Sequence, residues 1–325
     1  MAQLRPRVAF HDLQPGAASF LDDVLAGLTA PQKALSPKYF YDTRGCELFE
    51  AICGLPEYYP TRTEMAVMRT HAHEMAGGLG SDCLMIEYGC GSGHKTHVLI
   101  AQLRPVAYVP IDIAGEQLKA SALRLADEFP QLNIVAVCAD YSRPLRLPEI
   151  DSMRARRRVI YFPGSTIGNF TLPEAGQFLR NVCALAGSGG AMLVGVDLKK
   201  DPAVLRAAYN DAQGITAEFN LNLLRRINRE LGADFDVSAF RHHAFYNAEI
   251  GRIEMHLESL AAQRVTLAGR RIDFRRGETI HTENSYKYSV DEFRQLARSS
   301  GFEPQAVWTD PRQLFAVHYL AVPQA

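Results

Sequence analysis

From Cys83 onward the chain alternates short apolar runs with amphipathic segments, and no other feature constrains its fold as tightly. The runs CLMIEYG, AYVPIDI, NIVAVCAD, RVIYFPGS and AMLVGVDL are separated by helical patterns at about Lys95–Leu103, Ala114–Glu128 and Pro173–Ala186. Runs that are apolar on every position suit strands covered on both faces, and strands joined through helices pair in parallel. The expected architecture is therefore an α/β parallel sheet with helices on both sides. In such sheets ligands gather at the carboxyl ends of the strands.

The rhythm stops after AMLVGVDL for about ninety residues. Helical-looking DPAVLRAAYNDAQGITAEFNLNLLRRINRELG is followed by a strand-like stretch ending near IHTE. Alternation then resumes: SVDEFRQLARSSGF reads as a helix with Ser289 as cap and Gly301 as stop, before FEPQAVWTD and LFAVHYLAV form two last strands. The first sixty residues lie outside the rhythm and are crowded with aromatics, prolines and glycines. Tyr39, Phe40, Tyr41, Tyr58 and Tyr59 can fill a core or turn hydroxyls into a pocket. A length of 325 residues fits two domains. The expected division is a core of residues 63–197 plus 287–325 and a second, α+β domain of residues 1–62 plus 198–286.

Composition narrows the function. A formal net charge of −1 gives no general pull toward nucleic acid or anionic lipid. The basic group Arg154, Arg156, Arg157 and Arg158 lacks interleaved aromatics and reads as a solvated helix end. The cysteines at 46, 53, 83, 90, 138 and 183 form no C-x-x-C pair and read as reduced thiols. No apolar segment has the length of a membrane span, and a cytoplasmic monomer is expected. The paired histidines His71/His73, His94/His97 and His242/His243 bring no third ligand of metal-site spacing, so no metal is expected.

The first apolar run ends in IEYGCGSGHKT. Gly89, Gly91 and Gly93 permit close backbone approach to a ligand, and the helix that follows offers unpaired N–H groups. A dinucleotide fingerprint needs G-x-G-x-x-G, but His94 occupies the third glycine position and Glu87 precedes the first glycine by two residues. This acid-x-Gly-x-Gly-x-Gly pattern resembles the S-adenosylmethionine loop of class I methyltransferases. Such a ligand presents ribose hydroxyls, an adenine amine and an amino-acid end. Asp112 and Asp140, ending the next two runs, suit the first two, and Lys95 in the first helical turn suits a bound carboxylate.

The words SPKYFYD, LPEYYPTRTE, FPGSTIGNF, DAQGITAEFN, NRELGADFD, RIEMHLES and TENSYKY, together with the glycine loop, resemble the histidine Nα-methyltransferase family of ergothioneine biosynthesis. The matches run from about Leu28 to near the C-terminus. The resemblance implies a class I methyltransferase core, with a seven-stranded Rossmann-like sheet, joined to a substrate-binding domain made from the N-terminus and an insertion after the fifth strand. It implies S-adenosylmethionine as methyl donor and three methylations of the α-amine of L-histidine, giving hercynine. By position, Tyr58, Asn169 and Tyr209 match residues that hold the substrate amine and carboxylate, and Tyr41 and Phe49 match positions beside the reacting centre. Glu283 and Ser285 match the imidazole-binding pair, with Met255 on the same wall. Phe49, Glu87, Gly89, Gly91, Lys95, Asp112, Asp140 and Gly164 fall on the cofactor side.

Methyl transfer is an in-line displacement, so these residues are expected to orient the amine rather than to react with it. Two departures bear on rate and fine specificity: the loop spelling GCGSGHK, and Asn284 in place of an apolar residue between Glu283 and Ser285. Two rival readings are methylation of another amino acid, such as a tryptophan derivative, and a non-catalytic cofactor-binding regulator. An indole pocket has no use for the acid at Glu283, and the intact acids speak against a decayed site.

Overall fold

The computed structural model describes residues 8–13, 17–91, 93–142, 145, 147 and 155–324. It opens with β1 (Val8–Asp12), α1 (Ala17–Thr29), α2 (Thr43–Cys53) and α3 (Tyr59–Leu79). The alternating region follows as β2 (Leu84–Tyr88), α4 (His94–Leu103), β3 (Ala107–Asp112), α5 (Gly115–Glu128), β4 (Asn133–Cys138), β5 (Arg158–Phe162), α6 (Leu172–Ala186) and β6 (Ala191–Asp197). The insertion supplies α7 (Pro202–Tyr209), α8 (Ile215–Leu231), β7 (Phe240–Asn247), β8 (Arg252–Ser259), β9 (Gln263–Leu267), β10 (Arg270–Phe274) and β11 (Thr279–Tyr286). The chain closes with α9 (Val290–Ser299), β12 (Glu303–Thr309) and β13 (Phe315–Ala321).

Two compact units result. The first comprises residues 1–14, 60–199 and 287–325; the second comprises residues 15–59 and 200–286. The first unit carries an eight-stranded sheet in the order β1-β4-β3-β2-β5-β6-β13-β12. Every neighbouring pair from β1 to β6 is parallel, and β13 runs antiparallel to both its neighbours. That is the class I methyltransferase sheet with one strand added at its edge. The added strand corrects the expected division: Val8–Asp12 pairs with Ile134–Cys138 and so belongs to the first unit, because five extended residues complete the open edge left by β4.

The fully apolar runs behave as their composition requires. Every residue of β2 and β6 is buried, and Met85, Tyr108, Tyr161, Leu193 and Phe315 meet the helices α3 to α5 in one core. Local signals fix the helix ends. Thr171 with Glu174 forms a capping box before α6, and Ser289 with Glu292 forms another before α9. Helix α9 ends at Ser299 with Ser300 as its cap, and Gly301 follows at φ +95°, as its reading as a stop anticipates.

Residues Arg156–Arg158 correct a further expectation. They lie in the bend entering β5 rather than at a helix end: Arg156 reaches Asp82 at 3.8 Å, and Arg158 donates to the Leu185 carbonyl at 3.0 Å. Arg154 lies outside the described residues. All six cysteines are free thiols. Among the described residues no helix is long and apolar enough to cross a membrane.

The second unit is α+β. A three-stranded antiparallel sheet β11-β8-β7 packs with α7 and α8, and β9-β10 form a separate hairpin. Asp42 ties this unit's N-terminal part to the insertion. It caps α2 by accepting from Gly45 N at 2.7 Å, and it also accepts from Asn222 Nδ2 and Arg229 on α8. Burial opposes ionisation of this carboxyl, but the bonds from Arg229, Gly45 and Asn222 win and hold it below its usual range.

Candidate active site

In the first unit the sequence places its chemistry at one edge of the sheet. Strands β2, β3, β4 and β5 run parallel, so Gly89, Asp112, Asp140 and Gly164 all follow carboxyl ends. The turn after β2 has φ of +72°, +49° and +74° at Gly89, Gly91 and Gly93, a backbone that L side chains rarely adopt. A Cβ at Gly91 would meet nothing within 4 Å, so that side of the loop is bare. Ser92 lies outside the described residues.

Asp112 stands against this loop. Its Oδ2 accepts from Gly91 N at 3.1 Å and its Oδ1 from Ala114 N at 3.0 Å. Burial pushes the Asp112 carboxyl above its ordinary range, while the N–H groups of Ala114 and Gly91 pull it back. Ala139 N donates to the Asp112 carbonyl at 3.0 Å, which brings Asp140 alongside. The Asp140 carboxylate accepts from both Ser142 N and Ser142 Oγ. Acceptors ranged beside a bare glycine turn suit a nucleoside's hydroxyl and amine donors, so the residues present fit S-adenosylmethionine.

Glu87 corrects the sequence expectation. Its carboxyl is fully buried beneath the turn, accepting from Thr96 Oγ1 at 2.8 and 2.9 Å and from the Tyr108 hydroxyl at 2.6 Å. Desolvation raises its pKa to about 8, with Tyr108 and Thr96 opposing. Its oxygens are directed into the core, so Glu87 supports the loop from behind rather than reaching a ligand. The alternation of β2 is the reason: Glu87 shares a face with Met85, which packs in the same core.

Lys95 also has a partner that the sequence reading did not find. Its ammonium pairs with Glu64 of α3, whose carboxylate accepts from Gly164 N at 3.0 Å through each oxygen. Glu64 is completely buried and sits so close to β6 that a Cβ at Gly195 would lie 2.6 Å from its Oε1. One buried acid therefore holds both Lys95 and the turn after β5. The signal was present as the last residue of LPEYYPTRTE. Beyond Gly164, Ser165 adopts φ +61° and its hydroxyl accepts from Asp197 N at 2.8 Å, and the helical turn Thr166–Asn169 ends at half-buried Asn169. Tyr141, also missed in the sequence, comes within 3.4 Å of where a Cβ on Gly89 would be.

In the second unit, an aromatic wall and a strand face meet. Tyr41 and Phe49 are 5.7 Å apart between ring centroids, Phe49 and Tyr58 6.3 Å, and Tyr58 and Tyr209 6.3 Å. Phe49, expected on the cofactor side and beside the reacting centre, stands between Tyr41 and Tyr58 in this wall. The Tyr209 hydroxyl donates to Ser285 Oγ at 2.7 Å. Burial drives the Tyr58 phenol well above its ordinary pKa, and the surrounding Tyr209, Cys53, Glu283 and Tyr41 add to it. Glu283 and Ser285 share one face of β11 by strand alternation, and Met255 stands opposite Glu283 in register. A bulge between His281 and Glu283 sets that register. Sequence words alone could not show it.

The opposite face of the same sheet carries Glu254, His256 and His281, with one potential ligand atom of each within 4.8 Å of the others. Strand alternation puts Glu254 and His256 on one face of β8, and cross-strand pairing adds His281. The Glu254 carboxylate is bonded to Arg252 and Asn247 through Oε1 and to His256 through Oε2.

Comparison with known proteins agrees with this geometry. The family model described as histidine-specific, SAM-dependent methyltransferase matches residues 20–322. The chain is 42% identical over 314 residues to the histidine N-alpha-methyltransferase of Mycobacterium tuberculosis, covering 94% of this chain and 96% of that protein. It is 40% identical over 296 residues to that of Mycolicibacterium smegmatis, covering 89% and 90%. A 4-dimethylallyltryptophan N-methyltransferase of Aspergillus fumigatus is 29% identical over 311 residues, covering 90% and 91%. The chain belongs to the family of SAM-dependent, histidine-specific methyltransferases.

Proposed function

We propose that the protein methylates the α-amine of L-histidine three times in succession, giving Nα,Nα,Nα-trimethylhistidine for ergothioneine biosynthesis. When bound, S-adenosylmethionine supplies an electrophilic methyl carbon next to a sulfonium that leaves as a neutral thioether. The bare glycine turn, Asp112 and Asp140 accept its nucleoside donors, while Lys95 and Gly164 are kept in place by Glu64.

On the substrate side, Tyr58 and Tyr209 of the second unit hold the amine and carboxylate. Burial keeps the Tyr58 phenol protonated, so it acts as a hydrogen-bond partner rather than as a base. The amine's proton leaves to solvent before each transfer, and the nitrogen lone pair then forms the new N–C bond. Tyr41 and Phe49 offer ring faces to the growing quaternary ammonium, worth roughly 0.5–2 kcal/mol each.

The observation that carries the reading is the pairing of Glu283 with Ser285 on one strand face, with Tyr209 bonded to Ser285 and Met255 opposite. A carboxylate and a hydroxyl at i, i+2 spacing suit the two nitrogens of an imidazole, and a ligand without that N–H forgoes the bond to the acid. The test is mass spectrometry of the protein incubated with S-adenosylmethionine and all twenty amino acids. Histidine alone should gain one, two and finally three methyl groups. Methylation of another amino acid in its place would reject the proposal.

A further inference from the structure

Behind the strand that carries Glu283, the second unit holds a buried polar chain with a single consistent arrangement of protons. Asn220 of α8 is fully buried, and its Nδ2 lies 3.0 Å from the His256 carbonyl and 2.9 Å from His242 Nδ1. Its Oδ1 faces the Thr282 hydroxyl at 2.8 Å. A backbone carbonyl only accepts, so the amide nitrogen must point at His256 and the amide oxygen at Thr282. The second amide proton then goes to His242 Nδ1, which must be the unprotonated nitrogen. His242 Nε2 carries the proton and donates to the Tyr209 carbonyl at 2.8 Å.

Each end of this chain is a residue next to the substrate wall. Tyr209 is the last residue of α7, and its hydroxyl donates to Ser285. Thr282 is the residue at the bulge that turns Glu283 onto its face. We propose that Asn220 and His242 are positioning residues that couple the Tyr209 and Glu283 sides of the histidine pocket, and that protonation of His242 uncouples them and weakens histidine binding. This rests on the histidine reading above.

The direction follows from proton counting. A proton added at Nδ1 sets a ring donor against the Asn220 amide donor. Flipping that amide would aim Oδ1 at the His256 carbonyl, a repulsion that the Thr282 hydroxyl cannot relieve by turning to the Met255 carbonyl at 3.1 Å. Neither state keeps all the bonds. The groups around the ring are the Tyr209 carbonyl from α7, Asp211 just beyond it, Asn220 from α8, and His243 on the same strand. Burial holds the imidazole below its ordinary range; the Tyr209 bond and Asp211 oppose this and His243 reinforces it. The neutral, coupled form therefore prevails at neutral pH.

The test compares kcat and KM for histidine across about pH 5.5–9 in wild type, His242→Gln, Asn220→Ala and Asn220→Asp, with S-adenosylmethionine affinity and melting temperature measured alongside. Glutamine can donate to the Tyr209 carbonyl and accept from Asn220 without titrating. His242→Gln should keep KM within about twofold of wild type at neutral pH and flatten the rise of KM at acid pH. Asn220→Ala should raise KM roughly tenfold with a smaller change in kcat and unchanged cofactor affinity. Asn220→Asp puts a negative charge beside His242, so the rise should move to higher pH. The substrate's own imidazole and amine titrate alike in every reaction, so differences between profiles report the protein. A His242→Gln profile superimposed on wild type, or an Asn220→Ala KM equal to wild type, would overturn the inference. Failure of wild type to methylate histidine would reject the functional reading itself.

Discussion

Three acids in the first unit show how one residue type takes different roles according to what surrounds it. Asp112 keeps its oxygens against the bare glycine turn, Glu64 pairs with Lys95, and Glu87 is sealed under hydroxyls. Asp112→Ala should weaken S-adenosylmethionine binding roughly 10–100-fold, the loss expected for a charged hydrogen bond. Calorimetry checks this, and the melting temperature of the free protein shows how much of the loss is loop collapse. For Glu87 the prediction concerns stability. Its folded pKa is raised from 4.5 to about 8, so below pH 4.5 the carboxyl is neutral in both states and costs nothing. Between 4.5 and about 8 only the unfolded chain ionises freely, so wild-type stability falls as pH rises through that window. Glu87→Gln lacks that slope. Its melting temperature should therefore gain on wild type from acid to mildly alkaline pH, and parallel curves would show that Glu87 is ionised in the fold.

Among the elements, tight junctions matter more than long surfaces. Helix α2 starts under the Asp42 cap, and a Cβ on Gly45 would lie 1.7 Å from the Phe40 carbonyl oxygen. Gly45→Ala must push α2 away from the preceding turn, and overpacking of this kind costs about 1–3 kcal/mol. Because α2 carries Phe49, the same change should raise KM for histidine, which steady-state kinetics and thermal melts can measure together. The parallel strands, the cap at Ser289 and the insertion after β6 were legible in the chain because period and capping are local signals. The edge strand Val8–Asp12 was not, since its pairing partner lies more than a hundred residues away and its short pattern has no neighbour to confirm it. For the same reason Glu64 and the Asn220–His242 pair escaped notice. Glu64 and Asn220 stand inside recognisable words yet take their meaning from long-range contacts, whereas the glycine loop and Asp112 are marked by their place at the ends of apolar runs.

At the scale of the whole molecule, the account divides labour between two units. We propose that the first receives the methyl donor at the carboxyl ends of its parallel strands, and that the second reads the amino acid with its aromatic wall and strand face. The most direct measurement is therefore kcat/KM for histidine in Glu283→Ala, with S-adenosylmethionine affinity determined on the same preparation. We expect kcat/KM to fall roughly 10–100-fold, the cost of an unpaired imidazole N–H, while cofactor affinity stays within about twofold of wild type. Unchanged kcat/KM for histidine would contradict the account.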